Sequence, residues 1–321
     1  MQILGNIFYA VIFVSAIGSV FCVLSLFADH IMRCALPLWF SICDMILFTF
    51  PVLSPDVFLV SPEAQEWIPE FYTACQIWAW GCGILTVYKA VRFILAKKAV
   101  TSYMPCNIEH ISSICSRCAS AVGLRRTPAL YWGSLDHPIC VTGAVCPAII
   151  MDKKIVEQLT DKELIAVFFH ELTHIQRKHI LLERLYDCVC IINWLNPLAW
   201  IARGEFSLHC ETDCDDNALK LSQGRLSRAD YASAILRLLE LSAIQAAKPE
   251  NGIGALGFFR TKRRIQRITA KNSKIRERIR TVIFAAFLAL TLIFSMRFSR
   301  EHFYPYPAYH TDTEYSAGYN E

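Results

Sequence analysis

The sequence predicts a membrane protein of mainly α class, with four transmembrane helices and an α+β domain inserted between the third and fourth. Three observations lead there. Of 321 residues, 54% are hydrophobic and 19% charged, with a mean hydropathy of +0.34. That is too apolar for an ordinary soluble domain and too charged for a chain lying wholly in lipid. The apolar residues gather into long runs towards both ends, whereas residues 96–280 mix helical and strand-like patterns. That middle segment also carries His170-Glu171-Leu172-Thr173-His174 on a helix with its own start signal. The net charge of +4 is small, so its distribution says more than its sum.

Ile3–Phe27 is almost continuously apolar and exceeds the roughly 20 residues a bilayer crossing requires. A signal peptide is the rival reading. It would need a basic leading region, absent here, and an apolar stretch of only about 7–15 residues. Asp29, His30 and Arg33 form a short polar connection to a second span at 34–53, which Pro37 and Asp44 interrupt. An ionisable residue inside a span either serves a function or pairs within the bundle. The following loop holds Asp56, Glu63, Glu66 and Glu70 with no Lys or Arg. The third span, 72–95, is rich in Trp78, Trp80 and Tyr88 and fades into Lys89, Arg92, Lys97 and Lys98. The positive-inside rule therefore puts the acidic loop and the N-terminus outside, and Lys97 onward in the cytoplasm.

The cytoplasmic domain, 96–280, begins with an amphipathic helix at 108–122. Residues 128–151 then change period. Ala129-Leu130-Tyr131-Trp132, Ile139-Cys140-Val141-Thr142 and Pro147-Ala148-Ile149-Ile150-Met151 read as short strands, the first two divided by Gly133-Ser134 and Asp136-His137-Pro138 turn signals. Pro147 favours an edge position for the third strand. An edge strand just before the next helix offers an extended peptide a place to add itself; the plainer reading is a small roof over the helices. Cys115-Ser116-Arg117-Cys118 is a CxxC with no second pair or matching histidines, so packing is favoured over zinc or redox chemistry. The 14 cysteines lie mostly in spans or in the cytoplasmic segment, where reduced thiols are expected rather than disulfides.

Thr160-Asp161-Lys162-Glu163 reads as a capping box. The run Leu164-Ile165-Ala166-Val167-Phe168-Phe169 behind it is apolar enough to lie inside protein. His170 and His174 are spaced i, i+4, so they share a helix face and can grip one Zn²⁺ from one side. Glu171 stands one residue round the helix, where a general base must stand to take a proton from zinc-bound water. A third ligand comes from Glu211-Thr212-Asp213-Cys214-Asp215-Asp216, after a helical stretch broken near Asn196-Pro197. Glu211 and Asp215 are again i, i+4: one can ligate zinc while the other orients a histidine through its free ring nitrogen. Cys210 and Cys214 share that spacing, but a cysteine site would be a closed structural one and leave Glu171 without a role. The segment 180–202 is apolar enough to suggest another span. Arg184, Asp187, Asn193 and Pro197 break it, and a crossing there would separate Glu211 from His170. It reads as a hairpin at the membrane interface.

The stretch from His170 to Lys178, the block Asn193-Trp194-Leu195-Asn196-Pro197-Leu198-Ala199-Trp200, and Glu211 to Asp216 together resemble the MecR1/BlaR1 family of membrane metallopeptidases, family M56. The resemblance runs over about residues 1–296 and implies a gluzincin-type domain. It implies zinc on His170, His174 and Glu211, Glu171 as base, and Asp215 orienting a ligand histidine. The chain departs from the family pattern at His179, where an acidic residue is expected, and at Asp216, where a glutamate is usual. His179 and His209 are the candidates for stabilising an oxyanion.

Residues 229–246 form a helix with core-spaced leucines, and 249–257 a Gly-containing loop beside Phe258-Phe259, an exposed place for self-cleavage. Arg260, Lys262, Arg263, Arg264, Arg267, Lys271, Lys274, Arg276, Arg278 and Arg280 then form a basic run. It lacks the fold or aromatic platform of a nucleic-acid binder and reads as the cytoplasmic flank of a fourth span at 281–298, in reach of anionic lipid. The tail, 299–321, is aromatic and expected outside; it is too short for the penicillin-binding sensor that the resemblance would otherwise place there. The expected partners are the bilayer, a protein or peptide substrate such as a repressor or the chain itself, and a second copy in a homo-oligomer, but no nucleic acid. Two rivals stand beside this reading. A CAAX-processing or heat-shock-type membrane protease shares HExxH and Glu-x-x-x-Asp, and prenylated-peptide cleavage would reveal it. A non-catalytic transmembrane transducer would keep zinc for structure and have no use for Glu171.

Overall fold

The computed structural model describes residues 2–32, 38–49, 69–133, 138–222, 224–245 and 255–269, with isolated positions between 282 and 293. Almost all of the predicted fourth span, the aromatic tail, the acidic loop up to 68 and the turn at 134–137 lie outside the described residues.

Helix α1 (Gln2–Met32) and helix α3 (Pro69–Thr101) are each long and apolar enough to cross a membrane. Between them α2 (Leu38–Leu47) is equally apolar but only 10 residues long; the rest of the predicted second span falls largely outside the described residues. Ile77, Trp80, Ile84, Val87 and Phe93 of α3 are 57–74% exposed. A contiguous apolar face of this kind marks a surface that meets lipid or a partner rather than water.

A short strand, β1 (Met104–Pro105), and α4 (Glu109–Val122) open the second layer. After them come β2 (Ala129–Trp132), β3 (Ile139–Thr142), β4 (Ala148–Met151), the one-turn helix α5 (Lys153–Val156) and α6 (Asp161–Gln176). The sheet runs β1-β2-β4-β3. Here one expectation is overturned: the Pro147 strand is not an edge. All four residues of β4 are buried, with β2 parallel on one side and β3 antiparallel on the other. Pairing begins at Ala148, so Pro147 lies outside the ladder and its missing N–H is not needed. The edge is β3. Helix α6 starts on the predicted capping box, with Thr160 N–H donating to Glu163 Oε2 at 2.8 Å and Glu163 N–H to Thr160 Oγ1 at 3.4 Å. Its Leu164, Val167, Phe168, Phe169 and Leu172 are buried in a core shared with α4, the sheet and later helices. Cys115 and Cys118 sit inside that same core, as the packing reading of the CxxC required.

Lys178 adopts a left-handed conformation (φ 56), which reverses the chain between α6 and α7 (His179–Ile192). A turn at 193–196 leads to α8 (Pro197–Leu221), so the apolar segment is a helical hairpin. Its tip is tied to α1, to α3 and to the end of α2. Trp78 Nε1–H donates to Ile192 O at 2.8 Å, Trp194 Nε1–H to Trp78 O at 3.1 Å, and Asn193 Nδ2–H to Phe48 O at 3.3 Å. Asn196 donates through Nδ2 to Ser15 Oγ and Ser19 Oγ, both at 2.7 Å, while its Oδ1 caps α8 by accepting from Leu198 N–H. Helix α8 therefore belongs to two cores. Ala199, Ala202, Phe206 and Cys210 pack with Cys22, Phe48 and Tyr186, whereas Ala218 joins the core of α4, α6 and the sheet. Last come α9 (Arg228–Gln245) and α10 (Ala255–Thr269). Residues 255–257, expected in a loop, begin α10; the loop's earlier part lies outside the described residues.

Candidate active site

Two helices meet at one point. His170 Nε2 and His174 Nε2, one turn apart on α6, are 3.3 Å from each other. From α8, Glu211 brings Oε2 to 3.3 Å from His170 Nε2 and Oε1 to 3.5 Å from His174 Nε2. Four donor atoms of three side chains thus converge on one small volume. Two imidazole nitrogens and a carboxylate are a fitting donor set for Zn²⁺, leaving a fourth position for water or substrate.

Glu171 lies beside this group, 8% exposed, and accepts a hydrogen bond from Val141 N–H at 3.1 Å. That amide belongs to β3, the edge strand. Burial is the main cause that pushes the Glu171 carboxyl up to about 7, with the nearby Glu211 charge adding to it and His170 opposing it. Burial likewise brings the His174 ring down to about 3.

Asp215, one turn beyond Glu211, reaches His170 Nδ1 at 3.2 Å through Oδ1. Tyr231 on α9 joins them: its OH donates to Asp215 Oδ1 at 2.9 Å and lies 3.0 Å from His170 Nδ1. Arg264 on α10 forks onto Asp215, with Nε to Oδ2 at 2.9 Å and Nη2 to Oδ1 at 2.8 Å, while Nη1 lies 2.8 Å from Glu211 Oε2. Burial alone would raise both acids, but Arg264 and His170 hold Glu211 and Asp215 well below the usual carboxylate range. Burial also opposes a charge on His170, yet Asp215 and Glu211 outweigh it and push the ring up to about 10.

The arrangement brings together His170, Glu171, His174, Glu211 and Asp215. It uses His179 and His209 differently from the expectation that either faces an oxyanion. His179 is 1% exposed, with Nδ1 3.3 Å from His174 Nδ1, so it stands behind the His174 ring, on the side away from His170 and Glu211. His209 is 3% exposed and meets Ser41 of α2 through Nδ1, on the side facing α2. Two participants escaped sequence reasoning. Tyr231 lies in a helix singled out only for its core-spaced leucines, and Arg264 is one of ten basic residues flanking a predicted span.

The family model described as BlaR1 peptidase M56 matches residues 60–268, more than half of the chain. The methicillin resistance mecR1 protein of Staphylococcus aureus is 29% identical over 155 residues, covering 47% of this chain and 23% of the relative. The same protein of Staphylococcus epidermidis gives the same figures. The regulatory protein BlaR1 of Bacillus licheniformis is 25% identical over 168 residues, or 51% and 27% of the two chains. The matched stretch spans about a quarter of the length of these relatives. With the matched region taking in both histidines, the glutamates and Arg264, the chain belongs to the BlaR1 peptidase M56 family.

Proposed function

We propose that this chain is an integral membrane zinc endopeptidase with its active site at the cytoplasmic face, working in a regulatory or signalling system. The observation that carries the reading is the convergence of His170, His174 and Glu211 within 3.5 Å, with Glu171 beside them and held by a backbone amide. His170, His174 and Glu211 would hold the metal. Bound there, zinc supplies Lewis-acid polarisation of a peptide carbonyl and lowers the pKa of a coordinated water.

The remaining work falls to side chains and backbone of this chain. Glu171 takes a proton from the attacking water and passes it to the leaving amine. Asp215 and Tyr231 hold the His170 ring from its Nδ1 side. Strand β3, an edge of the sheet beside Glu171, gives an extended substrate a place to align as a further strand. The substrate proposed is a cytoplasmic or membrane-near protein, a repressor or the chain itself. Helix α8, packed against α1 and α2 at one end and bearing Glu211 towards the other, supports a link between membrane helices and the site.

The test compares membranes from cells making wild type and Glu171→Gln, with fragments mapped by mass spectrometry and zinc measured in both. Fragments present with wild type alone, at equal zinc content, are the expected result. Identical fragment patterns would favour a transducer that does not cut.

A further inference from the structure

Behind the metal-binding cluster lies a second row of polar groups that the proposed chemistry does not use. His179 Nδ1 is 3.3 Å from His174 Nδ1, and its Nε2 is 3.4 Å from Asp213 Oδ2, long for a hydrogen bond but within ion-pairing reach. Asp213 is in turn held by Arg177 Nε at 3.1 Å. Cys214 Sγ lies 3.3 Å from His179 Nδ1. His179, 1% exposed, and Cys214 are fully buried, whereas Asp213 and Arg177 lead out towards the surface, at 19% and 47% exposed.

The tautomers follow from the distances. Two ring nitrogens 3.3 Å apart cannot both carry a proton, nor can both present a lone pair, without repulsion. His174 turns its Nε2 towards His170 and Glu211, so a ligand role at that nitrogen places its proton on Nδ1. His179 must then accept at Nδ1 and keep its own proton on Nε2, the nitrogen that faces Asp213. A ligand histidine commonly donates its other ring N–H to an oxygen acceptor; here the acceptor is another histidine, whose own N–H is directed at a carboxylate. The left-handed turn at Lys178 brings His179 back against His174 within five residues.

We propose that His179 is the positioning residue for His174, fixing the ring tautomer that leaves Nε2 free for the metal, with Asp213 orienting His179 in turn. The inference rests on the metallopeptidase reading above. It also removes His179 from the list of groups that meet substrate.

The test uses the full-length protein purified in detergent and measures zinc affinity by chelator competition, zinc stoichiometry, and thermal unfolding without metal. His179→Phe fills the space but offers no acceptor. His179→Asn places an oxygen close to where Nδ1 stood, without adding charge. The expected result is one zinc per chain in wild type, an affinity about 10–100-fold weaker in His179→Phe, and recovery to within a few-fold of wild type in His179→Asn. Metal-free unfolding of His179→Asn should match wild type, so that its affinity reports the acceptor and not the fold. Wild-type affinity in His179→Phe, or a weakened His179→Asn whose unfolding is unchanged, would overturn the proposal. So would two zinc ions per chain falling to one in Cys214→Ser, because His174, His179 and Cys214 would then be ligands of a second ion. A wild type that binds no zinc would instead bring down the metallopeptidase reading itself.

Discussion

Replacing Arg264 by Met is the sharpest probe of how α10 supports the site. The substitution keeps much of the side chain's length and removes three contacts of 2.8–2.9 Å to Asp215 and Glu211. Asp215, whose side chain is 2% exposed, would keep Tyr231 and His170 but lose the Arg264 guanidinium. Removing one partner of a buried ion pair costs about 3–5 kcal/mol. Glu211 is 32% and Arg264 15% exposed, so solvent screening points to the lower end, about 3 kcal/mol. For a domain of this size that corresponds to a fall of roughly 6–12 °C in midpoint. The assay is thermal unfolding in detergent, with and without zinc. Zinc should narrow the gap between variant and wild type, since it places positive charge beside Glu211 and stabilises by mass action. Adding Asp215→Asn to Arg264→Met should cost less than the two single changes summed, because the pair is coupled. A metal-free Arg264→Met protein melting within about 2 °C of wild type would refute the assigned role.

Two further outcomes follow from the same geometry. Asp215 and Glu211 push His170 up to about 10 against the opposing effect of burial, so metal-free His170 carries a proton at pH 8. Zinc capture should then release about one proton there, and progressively less as pH passes 10, as calorimetry in two buffers of different ionisation enthalpy would show. The sign for stability is the same. The folded ring binds its proton more tightly than the model value of 6.5, so the metal-free fold loses this contribution as pH rises from 6.5 through about 10. Proton-independent zinc binding at pH 8 would contradict the His170 contacts. Asn196→Ala removes both the cap of α8 and its links to Ser15 and Ser19. A cap alone is worth about 1 kcal/mol, and the lost ties to α1 add to it, so unfolding should come earlier and the turn at 193–196 should become protease-sensitive; an unchanged protein would mean that the tip is not an anchor.

What could be seen in the sequence is what short-range spacing controls. The capping box at Thr160, the i, i+4 pairs His170/His174 and Glu211/Asp215, and the break at Asn196-Pro197 are each set within one or two helical turns, and each appears in the structure where the spacing put it. The edge strand was misplaced because strand order is a matter of which segments meet after a crossover. Pro147 speaks only for its own N–H, and it lies just outside the ladder. Arg264 shows the same limit in electrostatics. A basic run looks alike whether its members are solvated or one of them is folded inward, and only the meeting of α10 with α8, across 49 residues, selects Arg264 from its neighbours.

His179 falls between these cases, and the reason is local geometry that composition does not announce. Its departure from the expected acidic type was visible, but its contact with His174 depends on Lys178 turning left-handed at φ 56. That conformation favours Gly or Asn, and lysine gives no sign of it. It costs on the order of 1 kcal/mol, which the surrounding packing must offset: α7 and α8 form a hairpin pinned at its tip to α1 and α3, so the start of α7 is dictated from its far end. The tip that meets α1 and α3 and the ring behind His174 are therefore two ends of one helical hairpin. That argues for reading the Asn193–Trp200 block and His179 together, although neither motif refers to the other in the sequence.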